Sequence, residues 1–289
     1  MTGYCLKPNL FSTSITLILL LVIIITIDVV VSSSICASNT KNVNPKYYRM
    51  EKCYRSKLGI AAKGNFTSLR SCQKFGMERN GLALNFSPRE AWQKDGEPLN
   101  YTCEILKCAE VDGALTLVND TRYDYYSVYA KPLPHMNSTC IPGLGMFFLN
   151  RNKLNYTLAA RECKNMTGVP TYITTEQRTD AFAQLLAGSS IESAFVGLRS
   201  KNGSNFVSSN GDSLDCDTYR AWAPGHPRRQ RDKFDCVLIT RRRTWETTSC
   251  NRSYPMLCEL LPGGPYKKGS IFFSRNQGNN GEIILILST

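Results

Sequence analysis

The sequence predicts a disulfide-rich α+β protein of the extracellular kind, built from two modules. Three observations carry this. Twelve cysteines stand beside only two histidines in 289 residues. An apolar segment near the N-terminus has nine Asn-x-Ser/Thr sequons behind it. Each half interleaves short helix signals with short strand signals and shows no internal repeat. Twelve cysteines suit an oxidising compartment rather than a reducing one. No Cys-x2-Cys pair occurs, and His135 and His226 are the only histidines, which speaks against structural zinc and histidine-dependent hydrolysis. There is also no Gly-x-Ser-x-Gly elbow and no phosphate loop, so neither an enzyme nor a cofactor is expected.

The chain opens with a polar stretch containing Lys7, then an apolar run from Ile15 to Ile27, Asp28, three valines and the small-residue segment "SSSICAS". That layout predicts a signal peptide over residues 1–37. An uncleaved signal anchor is the rival, because Ile15 to Val31 is only just short of a spanning helix. A cut after Ala37 removes Cys5 and Cys36 and leaves ten cysteines, an even number for five bridges. The glycosylation acceptors expected behind it are Asn65, Asn85, Asn100, Asn119, Asn137, Asn155, Asn165, Asn202 and Asn251. Pro88, just beyond the Asn85 sequon, makes that one the weakest.

In the first half, "SLRSCQKFGMERNGLALNFSP" predicts a helix over Leu69–Arg79 ending at Asn80-Gly81, then a strand over Leu82–Phe86. "YTCEILKC" predicts a strand with two cysteines, and "TRYDYYSVYA" an aromatic strand. Tyr123, Tyr125, Tyr126 and Tyr129 read as sheet packing rather than a binding platform. A helix cysteine, a glycine, a strand and a cysteine-bearing strand resemble the PAN/apple module over Cys53 to Tyr129, which would make 38–140 a PAN/apple-like helix-on-sheet domain. The resemblance implies a Cys72–Cys103 bridge between helix and sheet and leaves Cys53 for Cys108.

The second half starts with "TLAARECKNM", a short helix over Thr157–Met166 with Ala160 and Cys163 on one face, closed by Gly168 and Pro170. "TTEQRTDAFAQLL" predicts a second helix, with Thr174 and Gln177 as a capping box and Ala181, Phe182, Leu185 and Leu186 as its buried stripe. Strand signals follow at Ala194–Leu198, Cys236–Thr240, Thr244–Thr248 and Met256–Leu260. Arg199 to Phe234, rich in Gly, Ser, Asn, Asp and Arg, is long enough to be a functional loop. Helix with cysteine, second helix, "FVGL", a loop holding "AWAPGHP", then "FDCVLI", "TWETTSC" and "YPMLCE" resemble the C-type lectin-like domain over Phe147 to Glu259. The resemblance makes 141–262 a domain of two helices, two small antiparallel sheets and a long loop. It implies bridges Cys163–Cys258 and Cys236–Cys250, which leaves Cys140–Cys216 as the fifth pair. Phe195, Trp222 and Trp245 read as core.

Sugar-binding members of that family hold calcium with a Glu-Pro-Asn type triplet in the long loop and an Asn-Asp pair on a following strand. The matching positions here read His226-Pro227-Arg228 and Glu246-Thr247. An imidazole and a cation are poor substitutes for oxygen ligands, so the calcium site is expected to be degenerate, with metal ligands none. From Arg220 to Arg252 nine basic residues face three acidic ones, a net of +6 within the chain's +12. Clustered arginine suits sulfate, phosphate or carboxylate partners. The candidate ligand-binding residues are therefore Arg228, Arg229, Arg231 and Lys233, with His226 and Glu246 beside them, while Arg241 to Arg243 form a separate turn cluster. A solvated loop is the competing reading of the same charge.

The expected function is a secreted glycoprotein binding module for carbohydrate or protein ligands, calcium-independent, with acidic or sulfated glycans as candidates and nucleic acid excluded by export. The alternative is a single-pass type II membrane receptor or adhesion protein with the same ectodomain. Residues 263–289 read as a flexible tail whose last apolar run is too short to span or anchor.

Overall fold

The computed structural model describes residues 46–92, 100–111, 116–130, 133, 138–200, 205–209, 211–228 and 234–262. The N-terminal segment with Cys5 and Cys36, the sequons at Asn137 and Asn202, Arg229, Arg231, Lys233 and the 263–289 tail lie outside the described residues. Among the described residues no helix is long and apolar enough to cross a membrane.

The first part holds β1 (Tyr48–Glu51), β2 (Tyr54–Ser56), β3 (Ile60–Gly64), α1 (Leu69–Glu78), β4 (Ala83–Phe86), β5 (Cys103–Leu106), β6 (Leu117–Asn119) and β7 (Asp124–Ser127). Five strands form an antiparallel sheet in the order β1-β7-β4-β5-β3, and β2 pairs with β6 as a separate ribbon. Ser68 caps α1 by accepting the Ser71 N–H. Asn80, at φ 50°, ends it, and the Gly81 N–H returns to the Gly76 carbonyl at 2.9 Å. The helix lies close on the sheet: a Cβ at Gly76 would meet the Tyr47 hydroxyl at 2.7 Å. The Cys72–Cys103 bridge ties it there.

Strands alternate their faces, so Cys103 and Ile105 look toward α1 while Glu104 and its partner Asn85 look away. The ribbon covers that second face. Ser56 N–H donates to Asn85 Oδ1 at 2.9 Å, and Asn85 Nδ2 donates to the Ser56 carbonyl at 2.8 Å and to Glu104 at 3.1 Å. Arg55 grips both Glu104 oxygens at 2.8 and 2.6 Å, and Lys63 stands 3.5 Å away. Asn85, one of the expected glycosylation acceptors, is enclosed here. Its residue is fully buried, and the nitrogen that would take the glycan is spent on two hydrogen bonds. All four tyrosines read as sheet packing are buried.

The second part holds β8 (Ser138–Ile141), β9 (Gly145–Leu154), α2 (Tyr156–Asn165), β10 (Gly168–Pro170), α3 (Glu176–Gly188), β11 (Ser193–Ser200), β12 (Phe206–Ser208), β13 (Cys236–Thr240), β14 (Trp245–Thr248) and β15 (Tyr254–Leu260). One eight-stranded sheet runs β14-β13-β11-β15-β9-β8, with β10 on β15 and β12 on β11. Two small antiparallel sheets were expected. The ladder is continuous because β11 pairs antiparallel with β13 and, at Phe195 and Met256, parallel with β15. Asn155 caps α2. Thr175, not Thr174, caps α3: it holds the extended backbone and accepts the Arg178 N–H. Three positions past that cap stands Arg178 rather than Gln177, so no reciprocal box can form.

Cys163 is bonded to Cys258 and Cys236 to Cys250, fastening α2 to β15 and β13 to the turn before β15. The remaining expected pairs are overturned. Cys108 is bonded to Cys140, with Cα atoms 5.8 Å apart, because the end of β5 lies against β8. Cys53 stands unpaired in the β1–β2 turn, where its N–H reaches Asp124 and its carbonyl takes the Asp120 N–H. Cys216 is disulfide-bonded, and none of the other described cysteines is its partner.

The two sheets share a core. One apolar cluster continues from Leu84 and Ile105 through Val128, Tyr129 and Leu133 to Met146, Phe148 and Phe195. The buried Tyr129 hydroxyl accepts the Met146 N–H at 3.0 Å, and burial pushes that hydroxyl up to about 12. A second cluster, around Phe147, Phe182, Val196, Ile239 and Trp245, lies under α3 and the loop.

Candidate functional site

The loop from Tyr219 to Arg228 is held along β14 by backbone bonds. Trp245 N–H donates to the Ala221 carbonyl at 2.7 Å, and Ala223 N–H donates to the Trp245 carbonyl at 2.9 Å. Trp245 is fully buried, with its indole N–H on Thr179 at 3.1 Å and its ring edge-on to Trp222 and Tyr219. Trp222, between Trp245 and Phe206, is only partly buried. Arg220 staples the loop from inside, donating to the carbonyls of Leu214, Asp217 and Tyr219 at 2.5 to 2.7 Å. It is a loop-holding residue rather than part of an open basic surface.

Gly225, at φ 77°, turns the chain, and the His226-Pro227 peptide that follows is cis. His226 Nδ1 then accepts the Thr247 N–H at 2.8 Å and lies 3.0 Å from Thr247 Oγ1. Thr247 Oγ1 accepts the Arg228 N–H at 2.9 Å. A ring nitrogen that accepts a backbone N–H carries no proton, so His226 is neutral with its hydrogen on Nε2. Burial and the neighbouring Arg228 hold the imidazole below its ordinary value of 6.5, against the opposing pull of Glu246. Stability from this neutral ring is fully present above 6.5 and is lost as pH falls through the lower folded value. Acidification through that lowered value is therefore expected to expose the Thr247 amide to hydrogen exchange before the β13 amides. Equal protection at both places across pH 5 to 7 would refute it.

The structure brings together His226, Arg228 and Thr247, with Glu246 partly exposed on the same strand. Arg228 is exposed, its guanidinium 5.4 Å from the Phe234 ring, and among the described residues no carboxylate pairs with it. Arg229, Arg231 and Lys233, which continue the basic run in sequence, lie outside the described residues. The turn arginines differ. Arg241 pairs with Glu192 at 2.7 Å and Arg243 with Asp180 at 3.4 Å, which spends their charge on neighbours. Thr247 was read from the sequence only as a lost ligand position, and its bonding to two loop residues had no sequence signal. Among the described residues no group of three or more His, Cys, Asp or Glu side chains is placed to hold a metal.

Residues 152–260 match the family model described as the lectin C-type domain. Solved structures similar to this chain include human lithostathine, 19% identical over 43% of this chain and 87% of that one, with a TM-score of 0.38. The cow C-type carbohydrate-recognition domain of CD23, determined with a GlcNAc2Man3 oligosaccharide, is 17% identical over 45% and 96%, with a TM-score of 0.38. Herring type II antifreeze protein is 16% identical over 45% and 99%, with a TM-score of 0.38. No curated protein matches the chain.

Proposed function

We propose, starting from the C-type lectin domain at residues 152–260, that the protein is a secreted binding glycoprotein whose loop face takes anionic carbohydrate or acidic protein surfaces without calcium and without covalent chemistry. The observation that carries this is the closure of His226, Arg228 and Thr247 on one another. A calcium ion wants about six to eight oxygens. Here a ring nitrogen and a hydroxyl point at the backbone instead, Glu246 offers one carboxylate, and Arg228 adds positive charge. The residues present do not fit calcium. They leave a fixed loop with an exposed guanidinium that no carboxylate pairs with among the described residues, and in sequence Arg229, Arg231 and Lys233 follow it. The first part fits a PAN/apple-like module, with a helix clamped on a five-stranded antiparallel sheet by Cys72–Cys103.

Retention on immobilised heparin, with and without chelator, tests the reading. Retention is expected to ignore chelation and to fall steeply as salt shortens the screening length from ~10 to ~3 Å. Serine at Arg228, Arg229, Arg231 and Lys233 should abolish most of it. Serine at Arg241, Arg242 and Arg243 should do less, since two of those charges are already paired. Equal losses per charge at both clusters, or a tight calcium site that controls binding, would sink the proposal.

A further inference from the structure

Four large apolar side chains stand exposed among the described residues: Tyr101 at 40%, Leu158 at 41%, Met166 at 36% and Leu261 at 46%. Three of them sit within three residues of a sequon asparagine. Asn100 immediately precedes Tyr101, Asn165 immediately precedes Met166, and Asn155 lies three residues before Leu158. On a helix, positions seven apart fall on one side, so Leu158 and Asn165 share a stripe of α2, and Asn155 caps its start. Isolated exposed apolar residues are ordinary on a protein surface, but their coincidence with glycan acceptors at three separate places is not a property of surfaces in general.

The acceptor atoms behave differently from one sequon to the next. Asn100 and Asn165 are exposed. Asn155 is half-buried and caps α2 through Oδ1, which leaves its Nδ2 unbonded among the described residues. At Asn85 the same atom is enclosed and donates to Ser56 and Glu104. We propose that Asn100, Asn155 and Asn165 carry N-linked glycans that cover Tyr101, Leu158 and Met166, and that Asn85 carries none. The donor is a lipid-pyrophosphate-linked oligosaccharide. Its sugar C1–O bond breaks, a C1–N bond forms at Nδ2, and one amide proton leaves with the lipid pyrophosphate. A glycan placed on Asn85 of the unfolded chain would block the Ser56–Asn85–Glu104 contacts, so the folded protein excludes it. Bulky polar sugars beside the three exposed side chains shield apolar surface that the fold itself leaves open.

The proposal rests on export of the chain, and the experiment separates the two. Full-length protein secreted from glycosylating eukaryotic cells is mapped by peptide mass before and after N-glycosidase. Asn100→Gln, Thr157→Ala and Asn165→Gln should each lose the mass of one glycan; Thr157→Ala removes the Asn155 sequon and keeps its helix cap. Ser87→Ala removes the Asn85 sequon and should lose nothing. The Ser87 hydroxyl is buried without a partner, so that variant keeps every hydrogen bond of the fold. Removing the glycans from folded protein should raise binding of an apolar fluorescent dye. Glycans at Asn65 and Asn119 but none at the three named sites would overturn the proposal alone. No glycan anywhere would overturn export with it. A glycan at Asn85 of folded protein, or unchanged dye binding, would also overturn it.

Discussion

Replacing Arg55 with methionine is expected to destabilise the first sheet by about 3–5 kcal/mol, the usual cost of stranding one partner of a buried ion pair. Glu104 is 1% exposed, and both of its oxygens are held by Arg55. Burial alone would raise the Glu104 carboxyl, but the Arg55 bonds, the Asn85 amide and the Lys63 charge together hold it below its ordinary value. Because the folded value is lowered, the stabilisation is fully present above pH 4.5 and is lost as pH falls through the folded value. In the variant the burial effect is left weakly opposed, and the carboxyl shifts the other way. The stability gap between wild type and Arg55→Met should therefore narrow on acidification. Exchanging both partners, Arg55→Met with Glu104→Met, should recover most of the loss, since a buried pair replaced by apolar groups of similar volume is often nearly neutral. Denaturant titration followed by hydrogen exchange at the β4 and β5 amides reads all three. A loss under about 1 kcal/mol would place the pair with exposed surface bridges instead.

Trp245→Ala is expected to cost about 3–5 kcal/mol in the second part, the range for removing a fully buried large aromatic. The indole fills the space between Trp222, Tyr219 and the Thr179 hydroxyl. Its loss opens a cavity and leaves that hydroxyl without its donor. The backbone bonds from residue 245 to Ala221 and Ala223 do not depend on the side chain. The loop should therefore loosen through lost ring contacts rather than detach. Trp245→Phe, which keeps one aromatic ring but loses the second ring and the N–H to Thr179, should cost less than Trp245→Ala because it leaves a smaller cavity. Melting temperature and heparin retention measured together distinguish stability from binding. Retention that survives a large drop in melting temperature would show that the basic loop does not need this anchor.

Helices and the central strands were legible in the sequence because each carries its own local signal. "SCQKF" and "NG" mark the start face and the end of α1, and the Asn80 turn at φ 50° is where that dipeptide demanded it. The sequence read Asn85 only as a sequon and gave Glu104 no role; both are polar residues inside the buried strands "ALNF" and "CEIL". That pattern says that something must satisfy them, and nothing local says what. The capping-box rule favoured Thr174 through Gln177, and the backbone geometry chose Thr175 instead.

By itself the sequence determined the disulfide-rich α+β class and the order of the elements over residues 152–260, and it raised the expectations of export and of a lost calcium triplet at His226, Pro227 and Arg228. Each of these is written in residue type and short spacing. Tertiary structure alone decided that Cys108 meets Cys140, that Asn85 is buried against Glu104, that β11 joins two ladders into one sheet, and that His226 and Thr247 close on each other. These are contacts between residues 19 to 61 positions apart, such as Asn85 with Glu104, Phe195 with Met256 and His226 with Thr247. No local propensity encodes which of many distant partners a side chain will meet, because that choice is made by packing the whole core at once.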